Sequence, residues 1–271
     1  MSHDPAPAAL PSGPVRLAGV GLDERRAIVV GASSGMGAAL VRQLAGEGYR
    51  VAALARRKPE LDALAAACAP ACAATGGAVI SAVHDAANLA EVPALFERLV
   101  RELGGLDLFV YAAGVMPKIG KEQYDTALDR EILAVNLDGA IAWGNECANY
   151  MRTRRRGTIV GISSIAGDRG RKGNPVYCTS KAALNTYLEA LRNRLSESGV
   201  HVCTIKPGYV DTRMTQGLDK LFWLISAEEA ARQILAAARN RVNTRYVPLR
   251  WQAVGTVLKL VPSFLFRRAS I

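Results

Sequence analysis

The residues best suited to chemistry lie between Ser163 and Lys181, in the run SSIAGDRGRKGNPVYCTSK. Asn174 and Pro175 precede an apolar-periodic segment, a pattern that predicts a helix opening near Val176. Residues four apart share a helix face, which puts the Lys181 ammonium beside the Tyr177 phenol. A neighbouring cation lowers a phenol's pKa from about 10 towards working pH. Tyr177 is therefore a candidate general acid, able to hand a proton to a substrate oxygen. Eight Tyr and eight Lys in 271 residues produce roughly 0.24 such pairs by composition alone. The pair gains meaning only with a cofactor site and an oxyanion partner.

The elements that must position this pair follow from the hydrophobic pattern. Half of the chain is hydrophobic and its length suits one α/β domain with a sizeable core. Residues 1–22 are rich in Pro, Ala and Gly without periodicity and are expected as a poorly ordered tail. Short β-like runs then alternate with helical ones. Strands are predicted at 27–30, 50–55, 78–83, 106–112, 158–163 and 200–206. Helices are predicted between them, including a long one over 122–155 broken near Asn136, and a later one over 227–239. Six strands separated by helices imply a Rossmann-type, doubly wound parallel sheet with helices on both faces. Residues 23–245 are expected as the dinucleotide-binding catalytic domain and 246–271 as a C-terminal extension. In such sheets ligands bind beyond the carboxyl ends of the strands, where the candidate loops all fall.

Directly after the first strand stands GASSGMG, with Gly31, Gly35 and Gly37 opening the first helix. Glycines here permit a tight turn and close backbone approach to a pyrophosphate, and a helix N-terminus favours its charge. The spacing is GxxxGxG. Together with Tyr177 and Lys181 it resembles the short-chain dehydrogenase/reductase family, over roughly residues 25–240. Asn136 in AVNLDG matches the family's active-site Asn, and Ser164 precedes Tyr177 by the usual catalytic interval. Pro207, Gly208, Val210 and Thr212 match the segment that closes over the nicotinamide. The resemblance extends the cofactor set to Ser33, Ser34, Met36, Asp85, Ala113 and Gly114, besides Tyr177 and Lys181 themselves. Asp85 matches an adenine contact, and equally suits a helix cap. One motif departs: Tyr111-Ala112-Ala113-Gly114 stands where the family carries Asn-Asn-Ala-Gly or close to it, which puts local rigidity in question.

The resemblance implies hydride transfer between a nicotinamide and a carbonyl carbon. Ser164 and Tyr177 would donate to the developing oxyanion. Lys181 would lower the phenol and hold the nicotinamide ribose, and Asn136 would hold a water linking Lys181 to solvent. At the end of the second strand stand Ala55, Arg56 and Arg57, with no acid for a ribose 2′-hydroxyl. A guanidinium binds a 2′-phosphate through paired hydrogen bonds, so NADPH is expected over NADH, with Arg56 and Ser33 as contacts and Arg57 beside them.

The formal net charge is +10, but zinc-finger spacing and aromatic-basic RNA motifs are lacking, so a nucleic-acid partner is not expected. No metal site is expected either. Five Cys, an odd number, and no apolar core suited to a secretory signal point to free thiols in the cytoplasm. Arg169, Arg171 and Lys172 border the expected substrate pocket; a solvated loop is one reading and a phosphate-bearing substrate the other. In the final stretch Leu249, Ala253, Val254, Val257, Leu258 and Val261 fall at helical spacing. That face either packs on protein, or belongs to a peripheral membrane anchor at the inner face of the plasma membrane. The anchor would use Phe264, Leu265 and Phe266, with Arg267 and Arg268 at lipid phosphate.

The segments SSIAGDRGRKGNPVY and KLVPSFLFRRASI resemble one branch of the family, the reductases of polyprenylphosphoryl 2-keto-pentofuranose. That implies a lipid-linked 2-keto sugar as substrate. The alternatives are another hydrophobic carbonyl (steroid, 3-oxoacyl or xenobiotic), a non-catalytic dinucleotide sensor, and a membrane-associated scaffold. The family also implies a homodimer or homotetramer.

Overall fold

The computed structural model describes residues 25–120, 122–217 and 221–268; the expected tail over 1–22 lies outside the described residues. Seven parallel strands form one sheet in the order β3-β2-β1-β4-β5-β6-β7. They are β1 (Arg26–Val30), β2 (Arg50–Ala55), β3 (Ala78–Val83), β4 (Leu108–Tyr111), β5 (Thr158–Ile162), β6 (His201–Pro207) and β7 (Thr244–Val247). The order reverses direction between β1 and β4, and there the first helix α1 (Gly35–Gly46) begins.

Side chains on a strand alternate between faces, so a sheet covered on both sides needs continuously apolar strands. β1 shows this directly. Ala27 and Val29 join a core with Leu40, Leu44 and Ile234, whereas Ile28 and Val30 join one with Phe96, Trp143 and Leu188. The first core is covered by α1, α2 (Lys58–Thr75) and α7 (Ala227–Arg239), the second by α3 (Val92–Leu103), α5 (Gly139–Arg154) and α6 (Pro175–Leu195).

The sequence pattern missed β7. Its four residues begin exposed and end at Val247, and the strand pairs only with β6 at the sheet edge, so it lacks the apolar run of a central strand. The long helical region over 122–155 proves to be α4 (Thr126–Leu133), a π-helical turn (Ala134–Asp138) and α5, so the break near Asn136 is a widened turn. Asp125 starts α4 by accepting from the backbone N–H groups of Ala127 and Leu128.

The C-terminal stretch forms α8 (Trp251–Leu260) and the short α9 (Ser263–Phe266). The apolar face expected there is divided. Trp251 and Gly255 are buried with Val254 and Leu258 beside them, whereas Leu249, Val257 and Leu260 remain exposed. The small residue Gly255 sets this choice, because a Cβ there would approach the Asp168 carboxylate at 2.7 Å and the Tyr246 ring at 2.8 Å. Among the described residues no helix is long and apolar enough to cross a membrane.

Candidate active site

The loop between β1 and α1 opens on a cleft of about 390 Å³ at the carboxyl ends of the strands. Its glycines are required by the protein's own packing. A Cβ on Gly31 would collide with the backbone of Ala112 and Ala113, and one on Gly37 with the carbonyl of Gly31. Gly35 adopts a φ of +53° and lies against Thr212, where a Cβ would come within 2.9 Å of the methyl. The loop therefore folds back tightly on α1 and leaves Ser33, Ser34 and Met36 lining the cleft with Asp85, Ala113 and Gly114.

Both arginines after β2 line the cleft, but they are held differently. Arg57 donates to the hydroxyls of Ser33 at 2.8 Å and Ser34 at 3.0 Å, and pairs with Glu60 at 3.1 Å. Arg56 is half-exposed and lies 4.0 Å from the Asp85 carboxylate. Arg57, more than the expected Arg56, is thus the guanidinium fixed against the glycine-rich loop. Asp85 closes a turn rather than capping a helix: its Oδ1 accepts from the backbone N–H of Ala87 at 3.0 Å, while the helical turn that follows begins after Asn88.

Deeper in, α6 carries Tyr177 and Lys181 into a buried position. Asn174 caps the helix through the Tyr177 N–H and donates to the Pro117 carbonyl, which fixes where the phenol begins its reach. Ser164 follows β5; its oxygen accepts from the Ala166 N–H, which leaves its own proton for the Tyr177 phenol. Lys181 is 4% exposed and donates to the Ile162 carbonyl at 3.0 Å. Its ammonium lies 5.8 Å from the centre of the Tyr177 ring.

Burial raises the Tyr177 pKa, and the Ser164 hydrogen bond and the charge of Arg171 oppose that rise. Lys181 is itself pushed down to about 8 by burial, since a carbonyl is a weak substitute for water around an ammonium.

Asn136 sits in the π-helical turn with no exposed surface. Its oxygen accepts from the Val115 N–H at 2.7 Å, and its amide donates to the Val115 carbonyl and the Ser180 hydroxyl. The side chain thus clamps the segment after β4 to α6, an engagement that competes with the expected water-holding role. The missing amide at Ala112 has a counterpart one residue earlier. The Tyr111 hydroxyl donates to the Val135 carbonyl at 2.6 Å and ties β4 to the same turn. Gly139 completes the fit, because a Cβ there would collide with that hydroxyl and with the Ala86 carbonyl.

Pro207 ends β6, and Gly208 follows under the Trp251 indole, so close that no Cβ fits. Val210 turns its side chain into the core, whereas Thr212 lines the cleft. The three loop cations divide. Arg169 donates to the carbonyls of Leu258 and Val261 and stacks on Phe266 at 4.3 Å, so it holds the tail. Arg171 and Lys172 line a separate cavity with Arg267. Phe266, expected at lipid, is instead partly buried beneath Arg169, while Phe264 and Leu265 stay exposed.

Three supports escaped the sequence reading. Asp168 is buried and takes Lys206 at 2.6 Å, Lys259 at 3.2 Å and the Tyr246 hydroxyl at 2.7 Å, joining β6, β7 and α8. Trp251 anchors α8 against Tyr209 and Trp223. His84 accepts from the Trp143 indole at 3.2 Å, which leaves Nδ1–H for Glu91 at 2.9 Å and steadies the strand end beside Asp85. Only the apolar-aromatic character of Trp251 and Trp143 was a local signal; apart from Glu91, seven residues from His84, the partners lie far away in sequence.

A family model described as short chain dehydrogenase matches residues 25–221. An uncharacterized oxidoreductase of Myxococcus xanthus is 39% identical over 194 residues, covering 70% of this chain and 74% of that protein. An uncharacterized oxidoreductase of Mycobacterium tuberculosis is 31% identical over 241 residues, covering 89% and 95%. The structure of a short-chain type dehydrogenase/reductase from Mycobacterium ulcerans matches with a TM-score of 0.74 at 24% identity, over 82% of this chain and 88% of that one, a likeness of fold. Since the family model spans the glycine-rich loop, the π-helical turn and the helix of Tyr177 and Lys181, the chain belongs to the short-chain dehydrogenase/reductase family, oxidoreductases that use an NAD(P) dinucleotide.

Proposed function

We propose that the chain is an NADPH-dependent ketone reductase with Asn136, Ser164, Tyr177 and Lys181 as its catalytic set, and that its ketone is a 2-keto sugar carried on polyprenyl phosphate. The observation that carries the cofactor part is the Arg57 guanidinium bonded to Ser33 and Ser34, with Arg56 beside it and no carboxylate at the end of β2. A 2′-phosphate adds acceptors to a donor cluster already assembled, and β2 ends in Ala55, Arg56 and Arg57 without the acid that would bind a ribose 2′-hydroxyl. The glycine-rich loop fits a pyrophosphate at the start of α1.

Bound NADPH would supply the hydride to the carbonyl carbon. The chain's own residues manage the oxygen. Tyr177 holds its proton firmly because burial raises its pKa, and transfers it when the carbonyl oxygen becomes negative. Ser164, anchored by Ala166, donates to whichever of these oxygens carries charge. Lys181, pushed down to about 8, exchanges a proton near neutrality and restores the phenol. Asn136 keeps the segment containing Gly114 in place; a Cβ on Gly114 would come within 3.4 Å of both Asn136 Oδ1 and Lys181 Nζ.

The substrate part of the reading is supported by Arg171 and Lys172 on the loop between Ser164 and Tyr177, and by exposed Phe264 and Leu265 in the tail. In this reading residues 23–245 form the catalytic unit. Residues 246–271 form an extension that meets the inner face of the plasma membrane peripherally, in a homodimer or homotetramer. The test is NADPH oxidation against a panel comprising a polyprenyl-phosphate keto-sugar, a steroid ketone, a 3-oxoacyl thioester and simple ketones. Selective turnover of the first is expected. Equal turnover of simple ketones would remove the lipid-linked substrate, and turnover with NADH alone would remove the cofactor assignment.

A further inference from the structure

Ser164 stands at the head of a short helical turn, Ile165–Asp168, which it caps through the Ala166 N–H. Whatever holds that turn therefore sets where the Ser164 hydroxyl stands. One side of the turn packs on α6. Ser163 donates to the Lys181 carbonyl at 3.0 Å, and Asn185 donates to the Gly167 carbonyl at 3.3 Å. Gly167 lies so near α6 that a Cβ would come within 2.7 Å of the Lys181 carbonyl carbon. The other side is held by Asp168, the last residue of the turn.

The Asp168 side chain is 1% exposed, and a carboxylate taken out of water persists only where donors surround it. Its Oδ1 takes Lys206 at 2.6 Å and Lys259 at 3.2 Å, and its Oδ2 accepts from the Tyr246 hydroxyl at 2.7 Å. Burial and the carboxylate together raise the Tyr246 pKa, so that phenol remains a donor. Lys206 precedes Pro207 and Gly208 at the end of β6, Tyr246 belongs to β7, and Lys259 to α8, whose Trp251 covers Gly208. One carboxylate thus ties the Ser164 turn to the strand end that leads to Gly208 and to the helix packed upon it.

Stability alone does not account for a charge at this place. Well-packed apolar groups of similar volume often replace a buried ion pair without loss, because desolvation offsets the attraction. What the carboxylate adds is direction, since three donors at bonding distance on two oxygens fix the placement of the turn that carries it. Ser164 needs such placement. Its hydroxyl bonds to the Tyr177 phenol, and a misplacement of about 1 Å in a reacting constellation costs about 100-fold in rate.

We propose that Asp168 is a positioning residue for carbonyl reduction, holding the Ser164 turn against β6, β7 and α8 so that the Ser164 hydroxyl meets the Tyr177 phenol and the substrate oxygen. The inference rests on the catalytic set proposed above. It also makes the C-terminal extension part of the active-site scaffold, because Tyr246 and Lys259 both belong to that extension and both bond to Asp168.

The test uses the full chain and two variants, Asp168→Asn, which keeps the size and drops the charge, and Tyr246→Phe, which removes one hydrogen bond. NADPH oxidation is followed with isatin, an activated ketone, at a temperature where circular dichroism shows each variant folded. Asp168→Asn is expected to lower kcat by about 10- to 100-fold and to leave the KM for NADPH within about twofold. Tyr246→Phe should lower kcat by a smaller factor, and it keeps the test valid if Asp168→Asn fails to fold. A double-mutant cycle separates positioning from general support. In a Ser164→Ala background Asp168→Asn should add less than about twofold, whereas full multiplication of the two losses would overturn the proposal, as would an unchanged kcat in both folded variants. Hydrogen exchange at the Ala166 amide, which donates to Ser164 Oγ, gives a readout without turnover and should quicken by about tenfold or more in either variant. If the unaltered protein oxidises NADPH with neither isatin nor any carbonyl of the panel, the reductase reading fails. Exchange then still decides whether Asp168 sets the Ser164 turn, and an unchanged rate at Ala166 would overturn that.

Discussion

The dinucleotide cleft and the cavity between loop and tail both present arginines to an opening, and they differ in how those arginines are held. In the cleft Arg57 is bonded to Ser33, Ser34 and Glu60, and Arg56 faces Asp85. In the cavity Arg171, Lys172 and Arg267 stand without counter-charges among the described residues, and Arg169 is tied to the tail. The first opening surrounds a glycine-rich turn to which the ends of neighbouring strands bring Arg57, Asp85 and Ala113. The second exists only because the loop after β5 and the end of the chain, some ninety residues apart, are joined through Arg169 and Asp168. Both openings depend on tertiary contacts, but in the first the arginine is paired by groups of the strand-end loops, whereas in the second the contacts between loop and tail leave the cations facing one another.

Four experiments would break or sharpen that contrast. The largest effect is expected at Tyr177, the proposed general acid. Tyr177→Phe should reduce turnover by about three orders of magnitude, of the size associated with losing a general acid, while a fluorescence titration still detects NADPH. Retained turnover would remove Tyr177 from the chemistry.

Asp168→Ala should come next. It leaves Lys206 buried without its carboxylate, a type of loss that costs about 3–5 kcal/mol. Denaturant unfolding should register the loss, and hydrogen exchange should show α8 and α9 opening before the dinucleotide half. If both halves loosen equally, the two regions are not separately held.

Arg57→Ala should weaken NADPH by about 10- to 100-fold and leave NADH nearly unchanged, as expected for two charge-assisted hydrogen bonds. Arg56→Ala should do less, because its guanidinium faces Asp85 at 4.0 Å. The reverse ranking in steady-state KM values would return the assignment to Arg56.

The smallest effect concerns pH. Lys181 has its folded pKa lowered from 10.5 to about 8, so between these values the unfolded chain binds more protons than the folded one. The sign follows: stability of the cofactor-free protein attributable to this group rises as pH increases through 8. The gain relative to Lys181→Met should be about 1 kcal/mol between pH 8 and 9, measured by urea unfolding. A flat difference would mean that the ammonium is better solvated than its burial implies.

How much of the site was legible depended on the range of the interactions involved. Gly31, Gly35 and Gly37, and the four-residue step from Tyr177 to Lys181, express backbone and helix geometry within a few residues, so spacing alone exposes them. The break at Asn136 was visible, but its π-helical form depends on Tyr111 and Gly139, which meet only across the fold. β7 was invisible because an edge strand buries too little to need an apolar run. Spacing brought Lys181 near Tyr177, but burial, the Ser164 hydrogen bond and the charge of Arg171, which also act on the phenol, depend on how the chain folds.

The amino-acid sequence by itself determined the alternation of strands and helices, the glycine-rich turn and the order of the chemical residues along the chain. These are consequences of local sterics and of the periodicity with which apolar side chains must face a core. Only the tertiary structure decided which arginine meets the cofactor loop, which face of α8 is buried, and that Arg171 and Arg267 share one cavity. Those outcomes depend on desolvation and on charges converging from distant segments, and neither quantity is defined until the chain has closed on itself.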